Sequence, residues 1–188
     1  MEYRKYYPMR LIATNTVLWI AAAFLIYYIL KVIFVAPWIT AEIMVGFFML
    51  MAAVDILSFT ILRERYVKEA GRLLIKHPGI FSIDISVPYE DIKSVDLVPG
   101  KEFAMRYFRG FGKRGYALIN SEKASWKNAF YENVVVITMK KSPSYRGILS
   151  PVANFWHSLE KGLVRDIEYM VVLYPERIEE FLQGIKPS

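Results

Sequence analysis

Two stretches, LIATNTVLWIAAAFLIYYIL at Leu11–Leu30 and IMVGFFMLMAAVDILSFTIL at Ile43–Leu62, decide how this chain is built. Each is twenty residues long; the first carries no formal charge and the second only Asp55. At about 1.5 Å per residue each reaches roughly 30 Å as a helix, the thickness of bilayer hydrocarbon. The pattern predicts a transmembrane α-hairpin turning at Ala36-Pro37-Trp38, with Trp38 suited to headgroup level. A basic start (Arg4, Lys5, Arg10) also suits a signal peptide. The run is longer than the roughly 7–15 apolar residues of a signal core, and Pro37 after Ala36 spoils a cleavage site, so we read an uncleaved anchor.

Basic residues flank the hairpin on its open side: Arg4, Lys5 and Arg10 before the first span, Arg63, Arg65 and Lys68 after the second. The connecting turn offers Glu42, with Lys31 as the dissenting charge. The positive-inside rule then predicts a multi-pass protein of the plasma membrane with both termini cytoplasmic. Asp55 is the acid inside a span, and such a group marks function by default. Thr14, Asn15 and Thr16 lie at its depth in an antiparallel hairpin. We expect an interhelical hydrogen bond from one of them to Asp55; a proton or ion path and an oligomer contact are the competing roles.

The 188 residues divide on this reading into a hairpin with its flanks, 1–65, and one small cytoplasmic domain, 66–188. Absence of cysteine excludes disulfide and thiolate chemistry. The net charge of +6 is uneven: between Lys101 and Arg146 ten basic residues face three acidic ones. Beside a membrane such a patch suits anionic headgroups, though a merely solubilising face has the same composition. A membrane tether argues against nucleic acid.

Beyond the second basic flank the period becomes strand-like. Strands are expected at 72–77, 80–87, 93–98, 103–108, 116–120, 132–140 and 167–174, seven in all, as in a small antiparallel barrel or sandwich. A helix is expected from Pro175, with Glu176, Glu179 and Glu180 near its start and Ile178, Phe181, Leu182 and Ile185 in one stripe. It would close an open end of the sheets.

The segments HPGIFSIDISVPYEDIKSVDLV (77–98), RGFGKRGYAL (109–118), NVVVITMK (133–140) and MVVLYPERIEEFLQGI (170–185), after two spans, resemble the prokaryotic PH-like membrane proteins. VPYEDIKSV is the most telling, since that family places an I/V-P-Y-x-x-I turn between two strands. The resemblance covers about Tyr66 to Ile185. It implies a mainly-β PH-like domain, two near-orthogonal sheets capped by a C-terminal helix, and little about function. Eukaryotic lipid-binding members carry clustered Lys and Arg on a loop that here is Lys76-His77-Pro78-Gly79, so phosphoinositide recognition of that type is not expected.

Gly110-Phe-Gly-Lys-Arg-Gly115 matches a dinucleotide fingerprint in letters only, because a strand rather than a helix is expected after it. It reads as a glycine-rich connection, or as an anion-binding loop with Arg109, Lys113 and Arg114. His77 and His157 have no ligand-spaced partners, so no metal, cofactor or catalytic constellation is expected. Ser150–Leu163, with Ser150 to cap, Pro151 to start and Gly162 to end it, is an extra amphipathic segment whose stripe is Val152, Phe155, Trp156, Leu159 and Leu163. It suits a membrane surface, a partner, or packing on its own domain.

These features favour a non-enzymatic, membrane-anchored binding or scaffold module. Its expected contacts to an anionic headgroup or a protein partner are Arg106, Arg109, Lys113, Arg114, Lys140, Lys141, Arg146, Phe155, Trp156 and Lys161. The alternative is an accessory subunit or small transport component using Asp55 in an oligomeric bundle; a homo-oligomer is compatible with both.

Overall fold

A computed structural model describes residues 1–33, 38–78, 83–108, 116–119, 126–147, 150–152, 154–155, 168–183 and 185. The chain forms two compact units: Tyr7–Leu62, and Met1–Tyr6 together with Arg63–Ser188.

The first unit is helical. Pro8, extended and without an amide proton to donate, precedes α1, Met9–Tyr28, and its carbonyl accepts the amides of Leu11 and Ile12. A π-helical turn continues the rod through Ile29–Ile33. The second helix, α2, is Trp38–Thr60. The pieces long and apolar enough to cross a membrane are Met9–Ile33, 25 residues, and Thr40–Thr60, 21 residues. The helices pack on each other along an inward row, with Leu11, Asn15 and Ala23 buried on α1 and Ala41, Ala52 and Phe59 on α2. Outside that row Val17, Leu18, Phe24, Leu25, Ile43, Phe47 and Leu50 are exposed. Such helices are apolar all round rather than amphipathic, the pattern of a membrane span or of a fully buried core helix.

The second unit contains two sheets. The five-stranded sheet joins β1 (Glu2–Arg4), β2 (Arg65–Glu69), β3 (Arg72–Lys76), β4 (Asp84–Pro88) and β8 (Ser144–Arg146) in the order β1-β2-β3-β4-β8, all antiparallel. The four-stranded sheet joins β5 (Ile92–Pro99), β6 (Tyr116–Ile119), β7 (Asn133–Met139) and β9 (Glu168–Leu173) in the order β5-β7-β9-β6. Its β6–β9 pair is parallel and the others antiparallel. Among the described residues the sheets do not close into a barrel.

Period-2 alternation builds the shared core. Leu73 and Ile75 of β3 and Ile85 and Val87 of β4 meet Val135 and Ile137 of β7 and Val171 and Leu173 of β9, with Phe181 and Ile185 packed in from the chain's end. Fully burying such a side chain stabilises by roughly 1.5–3 kcal/mol. On β7 the opposite face is buried too, through Val134, Val136 and Thr138. That explains why NVVVITM reads as a continuous apolar run rather than an alternating one.

Several expectations are corrected. Residues 103–108 are not a strand but lie in helix α3, Gly100–Phe108. Lys101, Glu102, Ala104 and Met105 are good helix formers, and Phe103 and Ala104 supply the buried side. Pro175 does not start the last helix: it bridges Lys5, and α4 spans Ile178–Leu182. Three strands were not expected, β1, β2 and β8. The first two change the meaning of the amino terminus. Glu2, Tyr3 and Arg4 pair with Val67, Tyr66 and Arg65, and the amides of Tyr6 and Glu176 donate to Tyr174 and Arg4 carbonyls at 2.6 and 3.1 Å. Met1–Tyr6 therefore belongs to the sheets rather than to a free basic flank.

Candidate functional site

Asp55 is the centre of the hairpin's polar group. Asn15 Nδ2 donates to Asp55 Oδ2 at 2.6 Å, and Trp19 Nε1 donates to the same oxygen at 2.5 Å. Asn15, Trp19 and Asp55 share the inward row, because 15 and 19 are one helical turn apart and 55 stands between buried Ala52 and Phe59. Trp19 also packs on Phe48, ring centroids 5.8 Å apart. Of the three α1 residues expected near Asp55, only Asn15 reaches it. Thr16 bonds back to the Ile12 carbonyl at 2.9 Å, and Thr14 makes no hydrogen bond among the described residues. Trp19 was not anticipated; its position four residues after Asn15 was the available signal.

A second polar group lies in the sheet unit. Lys5 is buried, its Nζ 3.2 Å from Glu64 Oε1 and 5.2 Å from the Tyr174 ring centroid. Glu64 also faces His77 Nε2 at 3.7 Å and accepts from the Tyr66 hydroxyl at 3.4 Å. The Lys5 amide donates to the Glu64 carbonyl at 2.9 Å, so residues adjoining the two ends of the helical insertion are hydrogen-bonded neighbours. Lys5, one of the basic residues flanking the first span, is buried against Glu64 and has a structural role. On the same sheet Lys68 Nζ donates to the carbonyls of Glu180, at 3.3 Å, and Phe181, closing the last turn of α4. It stands 5.0 Å from the Tyr3 and Phe181 ring centroids, and desolvation holds its ammonium below the usual lysine value.

The expected contact surface is described in part. Lys140 and Lys141 follow β7, and both turn to the β4–β5 junction. Lys140 Nζ donates to the Glu90 carbonyl at 3.2 Å, and Lys141 Nζ stands 3.7 Å from Asp91 while remaining exposed. Arg146, exposed, ends β8 opposite Asp84. Val152 and Phe155 are exposed, each on helical backbone. Arg106 lies on α3, its side chain outside the described residues, as are Arg109, Lys113, Arg114, Trp156 and Lys161. The glycine-rich 110–115 stretch lies outside them as well. Among the described residues no group of three or more His, Asp or Glu could hold a metal ion. Comparison with protein-family models, with curated proteins and with solved structures found no match to this chain.

Proposed function

We propose that this protein is a membrane-anchored, non-enzymatic binding or scaffold module, in which a PH-like sheet unit at the cytoplasmic face engages anionic lipid or a protein partner. One observation carries the reading: outside the row where they meet, Met9–Ile33 and Thr40–Thr60 expose apolar side chains, with only 6% and 11% of their most apolar windows buried. A core helix of a water-soluble protein covers that surface, and lipid is the medium in which it costs nothing to leave it open. The β1–β2 ladder supports a two-span arrangement with both ends on one side, since Lys5 and Glu64 are hydrogen-bonded neighbours. The PH-like part of the proposal is supported by the VPYEDI segment. Strand β4 ends at Pro88, Tyr89–Asp91 makes a 3₁₀ turn and Ile92 opens β5. The parallel β6–β9 pair is a departure from the antiparallel barrel or sandwich that the seven expected strands suggest.

The test uses the full chain in lipid nanodiscs, first zwitterionic and then with phosphatidylglycerol added. Slower amide exchange at Lys140–Arg146 and Val152–Phe155 in the anionic discs, lost at high salt, is the expected result for lipid contact. Unchanged exchange removes the lipid arm. The protein arm then stands or falls on crosslinking in native membranes, where Lys140→Glu with Lys141→Glu must abolish a crosslink that the unaltered chain forms.

The alternative, an accessory subunit using Asp55 in a bundle, draws on a different observation. Asp55 is only half-buried by its own hairpin, and both of its bonds fall on one oxygen.

A further inference from the structure

The hairpin leaves two hydrogen-bonding groups unused at one depth. Asn15 and Trp19 both donate to Asp55 Oδ2, and Asp55 Oδ1 makes no hydrogen bond among the described residues. The Thr14 hydroxyl makes none either, whereas the hydroxyls of Thr16, Ser58 and Thr60 bond back to carbonyls of their own helices. The bond between Asn15 and Asp55 sets the level: Thr14, next to Asn15, stands at the height of Asp55. In lipid neither group has water to turn to, so each unmade bond is costly.

Their directions decide what can satisfy them. We count roughly 100° per residue from the inward rows, Leu11, Asn15, Trp19 and Ala23 on α1 and Ala41, Phe48, Ala52, Asp55 and Phe59 on α2. For two antiparallel right-handed helices this turns Thr14 and Asp55 to the same side of the plane holding both axes. Thr16 and Trp19 turn to the other side. Thr14 and Asp55 thus share one face of the hairpin, on different helices, without meeting. Leu18 and Leu25 of α1 and Met44 and Phe47 of α2 share that face and are exposed.

We infer that this face binds a second copy of the same chain, in a two-fold dimer whose axis runs along the membrane normal. A rotation of 180° about that axis keeps every depth and lays α1 of one copy over α2 of the other. Thr14 of each copy then donates to Asp55 Oδ1 of its partner, so two hydrogen bonds form together and the face is self-complementary. A single copy leaves both groups bare, and a partner of other sequence would have to supply a donor and an acceptor at this one level. The inference rests on the membrane reading and goes beyond it by naming the partner and the contact.

The chain contains no cysteine, so one cysteine added after the last residue allows donor and acceptor dyes to be attached to full-length protein. Energy transfer is measured in vesicles over a range of protein-to-lipid ratios, after alkaline extraction has shown whether the chain stays with the membrane. The expected result is transfer above the random-proximity level that falls on dilution. Thr14→Val should raise the dimer dissociation constant about tenfold for the two lost bonds, Thr14→Ser should restore it, and Thr16→Val, on the other side, should leave it unchanged. A membrane-embedded chain that is monomeric at every ratio overturns the dimer alone. Equal effects of the Thr14 and Thr16 changes, or none from Thr14→Val, overturn the contact. Release by alkali overturns the membrane reading and the dimer with it.

Discussion

Asp55 shows how far one residue can be interpreted. A carboxyl group within a twenty-residue apolar run needs a partner, and its depth restricted the choice to three neighbours on α1, one of which, Asn15, bonds to it at 2.6 Å. The indole of Trp19 was not legible, because tryptophan in a span usually signals an interface and its N–H bond depends on rotamer and helix contact. Replacing Asp55 by Leu leaves the buried Asn15 amide and the Trp19 indole without their acceptor. The hairpin is expected to lose about 1–2 kcal/mol, read as a lower midpoint in denaturing-detergent titration followed by circular dichroism; an unchanged midpoint would show that the bonds contribute nothing. Lys68 gives a pH dependence of definite sign. Burial lowers its pKa below the 10.5 of a free lysine, so the folded chain releases this proton at a lower pH than the unfolded chain. Between the lowered value and 10.5 the unfolded state binds more protons, and the Lys68 contribution makes stability rise with pH there. Below that window its desolvation cost is present in full. Stability curves of the protein and of Lys68→Met should therefore differ by a term that changes only in this alkaline window.

At the scale of elements the sequence was a good guide wherever a segment was long and periodic. Strands β3, β5, β7 and β9 and the two apolar helices lie close to where alternation or hydropathy put them. Expectation failed at α3, where a strand was expected at 103–108 while Lys, Glu, Ala and Met favour a helix. It failed again at β2, whose RYVKE is mostly charged, and at β1 and β8, which are only three residues each. So short a strand has no period to read; it exists because a neighbouring edge accepts its hydrogen bonds. At the first residue of α3 the backbone is closely packed. A Cβ at Gly100 would press into the backbone carbonyl oxygens of Asn128 and Tyr131, neither of which is the movable end of a side chain. Gly100→Ala is expected to destabilise the sheet unit by about 1–3 kcal/mol, seen as a lower thermal midpoint and faster amide exchange at Tyr131 and Val134. An unchanged midpoint would mean that the 126–131 segment yields freely.

For the whole molecule the informative fact is connectivity. The helical unit Tyr7–Leu62 is an insertion between two strands, β1 and β2, that pair with each other. Replacing Tyr7–Leu62 by Asn-Gly should join Tyr6 to Arg63 through a tight turn of the kind that favours hairpins. The product is expected to be soluble without detergent and to keep the Glu2–Val67, Tyr3–Tyr66 and Arg4–Arg65 register, checked by cross-strand contacts in nuclear magnetic resonance. Loss of Met1–Tyr6 from the same chain should destabilise it, since Tyr3 is part of the core and Lys5 neutralises Glu64; an equally stable truncated product would deny β1 its role. The order of residues alone determined the two apolar helices, the place of Asp55 within its apolar run and most long strands, because hydropathy and alternation are properties of consecutive residues. Tertiary structure alone decided that Met1–Tyr6 is part of the sheets, that β6 lies parallel to β9, that Lys5 is buried on Glu64 and that Trp19 joins Asn15 on Asp55. Each of those is a pairing between segments far apart in the chain, selected by which edge, carboxylate or face the rest of the fold leaves open, and no local pattern records that.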